Sequence, residues 1–378
     1  FAEGMSGPRL TDLARSLPAS VPFRSPESDE RARGAPFRAR LGANENLFGT
    51  PPAAARAMAQ AAAEAWKYGD ATCHDLRAAL AAHLGVAPAH VAIGPGIDGL
   101  LGWLVRLIVA PGEAVVTSDG AYPTFNYHVT GFGGVLHKVP YRDDAEDIEA
   151  LTEAARRTRA KLVYLCNPDN PMGSWHSGAA VARMVEALPE GTLLVLDEAY
   201  GAFAPEGTLP ALDPADPRVI RMRSFSKACG MAGARVGYAL GATELIAAFD
   251  RVRDHFVMTR MSLAGAEAAL AERVWLEDML ARTARAKARI GGIARANGLT
   301  PLPSATNFVT VDCGGDGAFA RRVLAEMMAR GVFLRMPFAP PGDRCIRVTA
   351  GPDEALAVFA EALPGALDAA RTGQAAAS

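Results

Sequence analysis

The stretch Arg221–Tyr238, RMRSFSKACGMAGARVGY, places a single lysine, Lys227, behind an apolar and hydroxyl-rich lead-in. An arginine, Arg235, follows eight positions later in a glycine-rich run. Residues 219–226, VIRMRSFS, read as a strand running into a turn, and a lysine at such a strand end is a placed amine rather than one charge among many on a wet helix face. A lysine exposed on a loop is the commoner setting for any single lysine, so the weight falls on the residues around it.

Outward from this stretch, between Asn44 and about residue 245, short β-rich runs alternate with alanine-rich helical runs: HVAIG, AVVTSD, GVLHKVP, KLVYLCNP, TLLVLDEAY, VIRMRSFS and RVGYALG. The alternation predicts a predominantly parallel α/β sheet. Continuously apolar strands such as TLLVL predict helices on both faces. The region ATELIAAF…ARANG, 242–298, reads as long and helical, with a helix bridging two domains, and NFVTVDC, GVFLRMP and CIRVTAG read as a small α+β unit. The expected division is an arm over 1–43, a large domain over 44–270 and a small one over 271–370. The proline-rich SLPASVPFRSPESDERARGAPF, 16–37, is expected to be irregular and to pack on a neighbour.

The chain has 378 residues, half of them hydrophobic, enough for a large core and about two domains. Lys and Arg total 39 against 41 Asp and Glu, so no basic field favours nucleic acid or an anionic membrane. Five scattered cysteines, Cys73, Cys166, Cys229, Cys313 and Cys345, fit a reducing cytoplasm better than a disulfide framework or a structural zinc site. No apolar run reaches membrane-spanning length.

Ligands of open α/β sheets sit beyond the carboxyl ends of strands. Three motifs fall at such ends: LCNPDNPMG with Asn167, LVLDEAY with Asp197 and Tyr200, and SFSK with Lys227. In this order the chain resembles the fold-type I pyridoxal-phosphate aminotransferases, and within them the histidinol-phosphate aminotransferase branch, over most of its length from Asn44 to Arg347. The resemblance implies a large domain with a mainly parallel seven-stranded sheet, a small α+β domain, and pyridoxal 5′-phosphate as cofactor. Lys227 then carries the cofactor as a Schiff base, which needs its amine below the ordinary value of about 10.4. Asp197 keeps the pyridine nitrogen protonated so that the ring absorbs electrons. Tyr200 and Asn167 match the partners of the cofactor's 3-oxygen.

In AIGPGIDGLLGWLVRLI, 92–108, strand, glycine-rich turn and helix follow one another as a phosphate cradle requires. Gly96, Ile97 and Asp98 fall on the family's phosphate loop, with Ile97 and Gly99 in place of the usual serine or alanine and glutamate. Ser224 and Arg235 match further phosphate ligands. Tyr68, in WKYGDATCHDLRAAL, matches a tyrosine that reaches the partner subunit's phosphate, which implies a homodimer. Phe125 in GAYPTFNYHV occupies the place of the aromatic residue that stacks on the pyridine, with Tyr122 or Tyr127 left to supply a hydroxyl.

Arg347 in CIRVTAG and Arg335 in GVFLRMP match arginines that hold the substrate's acidic group, and Asn44 and Glu45 match a segment lining the substrate side. Phe23 stands where the branch carries a phosphate-contacting tyrosine, and Thr259 beside Arg260 where it carries an asparagine. These changes weaken the case for histidinol phosphate and leave an amino acid as donor. The expected function is amino transfer from an amino acid or histidinol phosphate to a 2-oxo acid. A decarboxylase of the phosphothreonine type or a racemase on the same fold is the enzymatic alternative. A ligand-sensing regulator is the other, although no helix-turn-helix pattern precedes Asn44.

Overall fold

The computed structural model describes residues 9–18 and 25–375. Phe23, one of the departures noted above, lies outside them.

All seven expected strands form, and they share one sheet in the order Val91–Gly94, Gly237–Leu240, Val219–Ser224, Leu193–Asp197, Leu162–Cys166, Ala114–Ser118, Val135–Val139. Gly237–Leu240 runs against its two neighbours, and the other pairs are parallel. Leu162–Cys166 and Leu193–Asp197 are buried at every position, as their unbroken apolar sequence requires. Their side chains alternate between two cores. Leu162, Tyr164 and Val195 pack with Leu101, Trp103 and Phe125, while Val163, Leu165, Leu194 and Leu196 pack with Leu151, Val181 and Val185. The crossover helices Ile148–Thr158 and Gly178–Ala187 start on Asp147 and Ser177, whose side chains accept from Ala150 N and Ala180 N.

A three-stranded antiparallel sheet, Thr300–Pro301, Phe308–Asp312 and Cys345–Thr349, forms the smaller body with the helices Arg273–Ala296, Gly317–Ala329 and Asp353–Ala375. The long helical region is broken: Arg260–Leu270 ends before Arg273–Ala296 begins. Thr259 caps the first of these helices, its Oγ1 accepting from Ser262 N at 3.0 Å.

The N-terminal segment differs from the irregular arm expected of it. Pro26–Arg33 is a helix that Ser25 caps, with Pro26 in its first turn and Gly34 closing it at φ 70°. Arg40 holds it by salt bridges to Glu27 and Glu30. Ala39–Arg40 then pairs in parallel with Val332–Phe333, and Ala39 and Leu41 are buried in the smaller body's core. Alternating apolar positions in this short strand have nowhere to go in isolation, so they complete a core made 250 residues later in the chain.

Candidate active site

Five neighbouring parallel strands point their carboxyl ends the same way, and the loops leaving three of them bring Asn167, Asp197 and Lys227 to one edge. The Lys227 amine donates to Asn44 O at 3.1 Å. Burial, followed by the charge of Arg347, lowers its pKa to about 8, with Asp98 and Glu45 pulling the other way. Asn44 is buried at φ 54°, a left-handed conformation that asparagine tolerates. Its Nδ2 donates to the Tyr200 hydroxyl at 3.0 Å, and its backbone N donates to Thr349 Oγ1 at 3.1 Å. Asn44 therefore links the lysine, the tyrosine and the smaller body's strand.

Asp197 is 3% exposed. Its Oδ2 accepts from the Tyr164 hydroxyl at 2.7 Å and its Oδ1 from Ala199 N at 2.9 Å. Burial outweighs these two donors and pushes its pKa up to about 6. Two neutral donors hold this carboxylate, and among the described residues no cation pairs with it in a salt bridge.

The helix Gly96–Ile108 begins at the same edge. Pro95 precedes it and no side chain caps it, so the first N–H groups point out of the helix unused. Arg235, itself left-handed at φ 53°, lies against this helix start. A Cβ on Gly96 would come within 2.3 Å of the Arg235 Nη2, and a Cβ on Gly237 within 2.7 Å of Gly96 C, so both glycines are needed for the approach. Arg235 Nη1 donates to Ser226 Oγ at 3.3 Å, and Ser224 Oγ accepts from Ser226 N at 3.0 Å. Asp98 Oδ2 is 3.6 Å from the guanidinium.

On the smaller body, Arg347 lies across the ring of Phe308, 5.3 Å from its centroid. It donates to Asn170 Oδ1 and, at 3.0 Å, to Gly42 O, while its Nε is buried without a partner. Burial lowers its pKa to about 10. Arg335 faces Arg347 directly across a bridge, its carbonyl oxygen accepting from Arg347 N at 2.7 Å, so two cationic side chains leave adjacent backbone.

Other expected residues stand elsewhere. Phe125 is wholly buried, its ring stacked on Tyr164 at 4.6 Å and 16°, and it offers no free face to a cofactor. This corrects its assignment as the stacking ring: an apolar ring with no polar atom sinks into the core. Tyr122, three residues earlier, donates its hydroxyl to Asp98 Oδ1 at 2.9 Å and lies close enough to Asp197 to feel its charge. Asn167 spends its amide on the backbone, donating to His176 O and Thr208 O and accepting from His176 N. Glu45 is exposed. Tyr68 is 76% exposed and stacks on Phe256 at 4.6 Å. Arg260 holds its loop, donating to Tyr68 O and pairing with Glu64. Sequence reasoning passed over Ser226, although its hydroxyl, two residues past Ser224, was a legible signal. Asn170 and Asn307, which donates to Asn44 O at 3.1 Å, carry no signal of their own because only folding brings them here.

Residues 39–363 match the family Aminotransferase class I and II, and the chain belongs to it. It is an enzyme of the transaminase type with the fold of the fold-type I, pyridoxal-phosphate-dependent aminotransferases, as the resemblance implied. Among individual proteins, it is similar to the histidinol-phosphate aminotransferase of Moorella thermoacetica, 31% identical over 94% of this chain and 92% of that one. It is likewise similar to the aromatic amino acid aminotransferase of Mycobacterium bovis, 34% identical over 92% and 95%. The crystal structure of Sinorhizobium meliloti histidinol-phosphate aminotransferase in complex with pyridoxal-5′-phosphate superposes with a TM-score of 0.93, at 51% identity over 96% of this chain and 98% of that one.

Proposed function

We propose that this aminotransferase takes its amino group from an amine that carries an anionic group and a flat ring, histidinol phosphate or an aromatic amino acid, and passes it to a 2-oxo acid. Both donor types appear in the names of similar proteins. The observation that carries the reading is the meeting, at one edge, of a lysine of lowered pKa, a buried carboxylate with no cation, and an arginine with one buried N–H unpaired.

The residues fit pyridoxal 5′-phosphate. The uncapped helix start with Ile97 and Asp98 N–H groups, Ser224, Ser226 and Arg235 suit a dianion, and Gly96 keeps the cradle open. Asp197, lacking a cation, suits a protonated ring nitrogen. When bound, the cofactor supplies an aldehyde that carries amino groups and a ring that takes up the electrons left when a carbon loses its proton. Lys227 would hold that aldehyde and would serve as the general base that moves the proton of the substrate's α-carbon; a pKa near 8 leaves enough free amine for this. Asp197 holds the nitrogen's proton. Tyr200, oriented by Asn44, would donate to the ring oxygen; Asn167, at the end of the neighbouring strand, holds the loop through His176 and Thr208. Tyr122 rather than Phe125 is the aromatic side chain at the pocket. Arg347, with Arg335 beside it, holds the donor's anion, and its unpaired Nε is the donor left for that purpose.

The same reading makes the enzyme a cytoplasmic homodimer in which Tyr68 reaches the partner's phosphate site. Support comes from the exposed, stacked rings of Tyr68 and Phe256, with exposed Trp66 two residues before Tyr68, apolar surface that a neighbour would cover. It also keeps the division into 44–270 and 271–370: among the described residues the buried members of the four larger apolar clusters each stay within one of them, Ala39 and Leu41 of the arm completing that of 271–370, and the small group of Tyr141, Met172 and Cys345 is drawn from both.

The test is to add histidinol phosphate, an aromatic amino acid and glutamate singly to the yellow holoenzyme and follow loss of the cofactor's absorbance. Conversion by neither ring-bearing donor overturns the proposal, and release of carbon dioxide instead of an oxo product would favour the decarboxylase.

A further inference from the structure

Three residues before Arg347, at the end of the short turn Gly342–Arg344 that leads into the same strand, Arg344 spreads all three guanidinium nitrogens over two aspartates. Its Nε donates to Asp312 Oδ2 at 2.7 Å, and its Nη1 and Nη2 donate to the two oxygens of Asp144 at 2.9 and 2.8 Å. Asp312 ends the neighbouring strand of the small sheet, opposite Cys345. Asp144 belongs to the other body, in the connection between strand Val135–Val139 and helix Ile148–Thr158. It follows Asp143 in a rare pair of left-handed residues, φ 51° and 62°, which aims its carboxylate out of that loop. The three charges are about a quarter exposed, so the pair is screened only in part.

Beneath the fork lies a small apolar cluster of Tyr141, Met172 and Cys345, drawn from both bodies. From it a continuous line leads to the substrate anchor. Tyr141 donates to Asp169 Oδ1 at 2.9 Å, Asp169 precedes Asn170, and Asn170 accepts from Arg347. The segment Arg344–Thr349 thus meets the cofactor-carrying body through the Arg344 fork at one end, through Arg347, and through the bond of Thr349 with Asn44 at the other end.

We propose that Arg344 is a positioning residue: by gripping Asp144 it fixes the strand that carries Arg347 against the large sheet, and so sets how well the enzyme holds an anionic donor. The inference rests on the reading of Arg347 as substrate anchor. Asp144→Asn is the informative variant, because asparagine keeps the left-handed backbone while the charge and half of the bidentate pairing go. In the holoenzyme KM for an acidic donor should rise roughly 5- to 30-fold, with kcat changed less than about threefold and cofactor affinity unchanged. Added salt should raise KM in both through screening at Arg347, and more steeply in wild type, where the Arg344–Asp144 pair is screened as well. An amine lacking the anion should react equally with both. Arg344→Lys, which keeps the charge and loses the fork, should lie between them, and it carries the test should Asp144→Asn not fold. Equal donor KM in wild type and variant, with Arg347→Ala still impaired, overturns the clamp and leaves the anchor standing. An unimpaired Arg347→Ala removes both.

Discussion

The same burial shifts Lys227 and Asp197 in opposite directions, helping the free amine the lysine needs and opposing the charge the aspartate needs. Desolvation favours the neutral form of each, lowering the lysine to about 8 and raising the aspartate to about 6. Below pH 8 Lys227 is mostly ammonium and above it mostly free amine, so borohydride trapping of pyridoxal 5′-phosphate on the apoenzyme should quicken as pH rises through about 8. Lys227→Ala should abolish the trapped adduct and lower turnover by roughly a thousandfold or more; a surviving adduct would place the linkage on another lysine. Asp197→Asn should keep the cofactor bound yet slow the half-reaction by about a hundredfold, read by stopped-flow absorbance. Gly99 sits inside a helix, where alanine is normally better by about 1 kcal/mol. Here a Cβ would lie 2.4 Å from the Pro95 ring, which cannot swing away. Overpacking wins, and Gly99→Ala should destabilise by about 1–3 kcal/mol in urea unfolding, with Pro95→Ala relieving it.

At the scale of elements, the parallel strands were legible because both faces are buried and the sequence is apolar throughout. The arm was not, although its signals were present: Ser25, Pro26, acidic residues in the first turn, arginines in the last and Gly34 after them mark a short helix in plain form. The prolines on either side of it, Pro18, Pro22 and Pro36, mask that pattern by giving the whole segment the composition of an irregular chain. The strand at Ala39–Arg40 was beyond reach, since two residues have no period and their partner is Val332–Phe333. Leu41, wholly buried in the smaller body's core, shows what this pairing contributes. Leu41→Ala should lower stability by about 2–5 kcal/mol, measured by denaturant unfolding, a loss that an arm packed loosely on the surface would not produce.

For the whole molecule, the decisive question is whether Tyr68 acts across subunits. Its exposure beside Phe256 in one chain is what a residue waiting for a partner would show. Tyr68→Ala and Lys227→Ala should each be nearly inactive, and a refolded equal mixture should recover about a quarter of wild-type activity, because half the dimers are hybrids with one intact site each. No recovery on mixing would mean that Tyr68 serves its own chain or none.

By itself the sequence determined the sheet, the class of chemistry and the order of the strand-end residues Asn167, Asp197 and Lys227, because each depends on local pattern: apolar runs, turn residues and a motif a few positions long. Only the tertiary structure decided that Phe125 is buried on Tyr164 while Tyr122 pairs with Asp98, that Arg335 and Arg347 lie side by side, and that Asn44, Asn307 and the Arg344 fork tie the two bodies together. Those facts depend on contacts between residues as many as 305 positions apart, as between Asn44 and Thr349. Packing and desolvation choose such pairs, and neither leaves a mark in the neighbouring sequence.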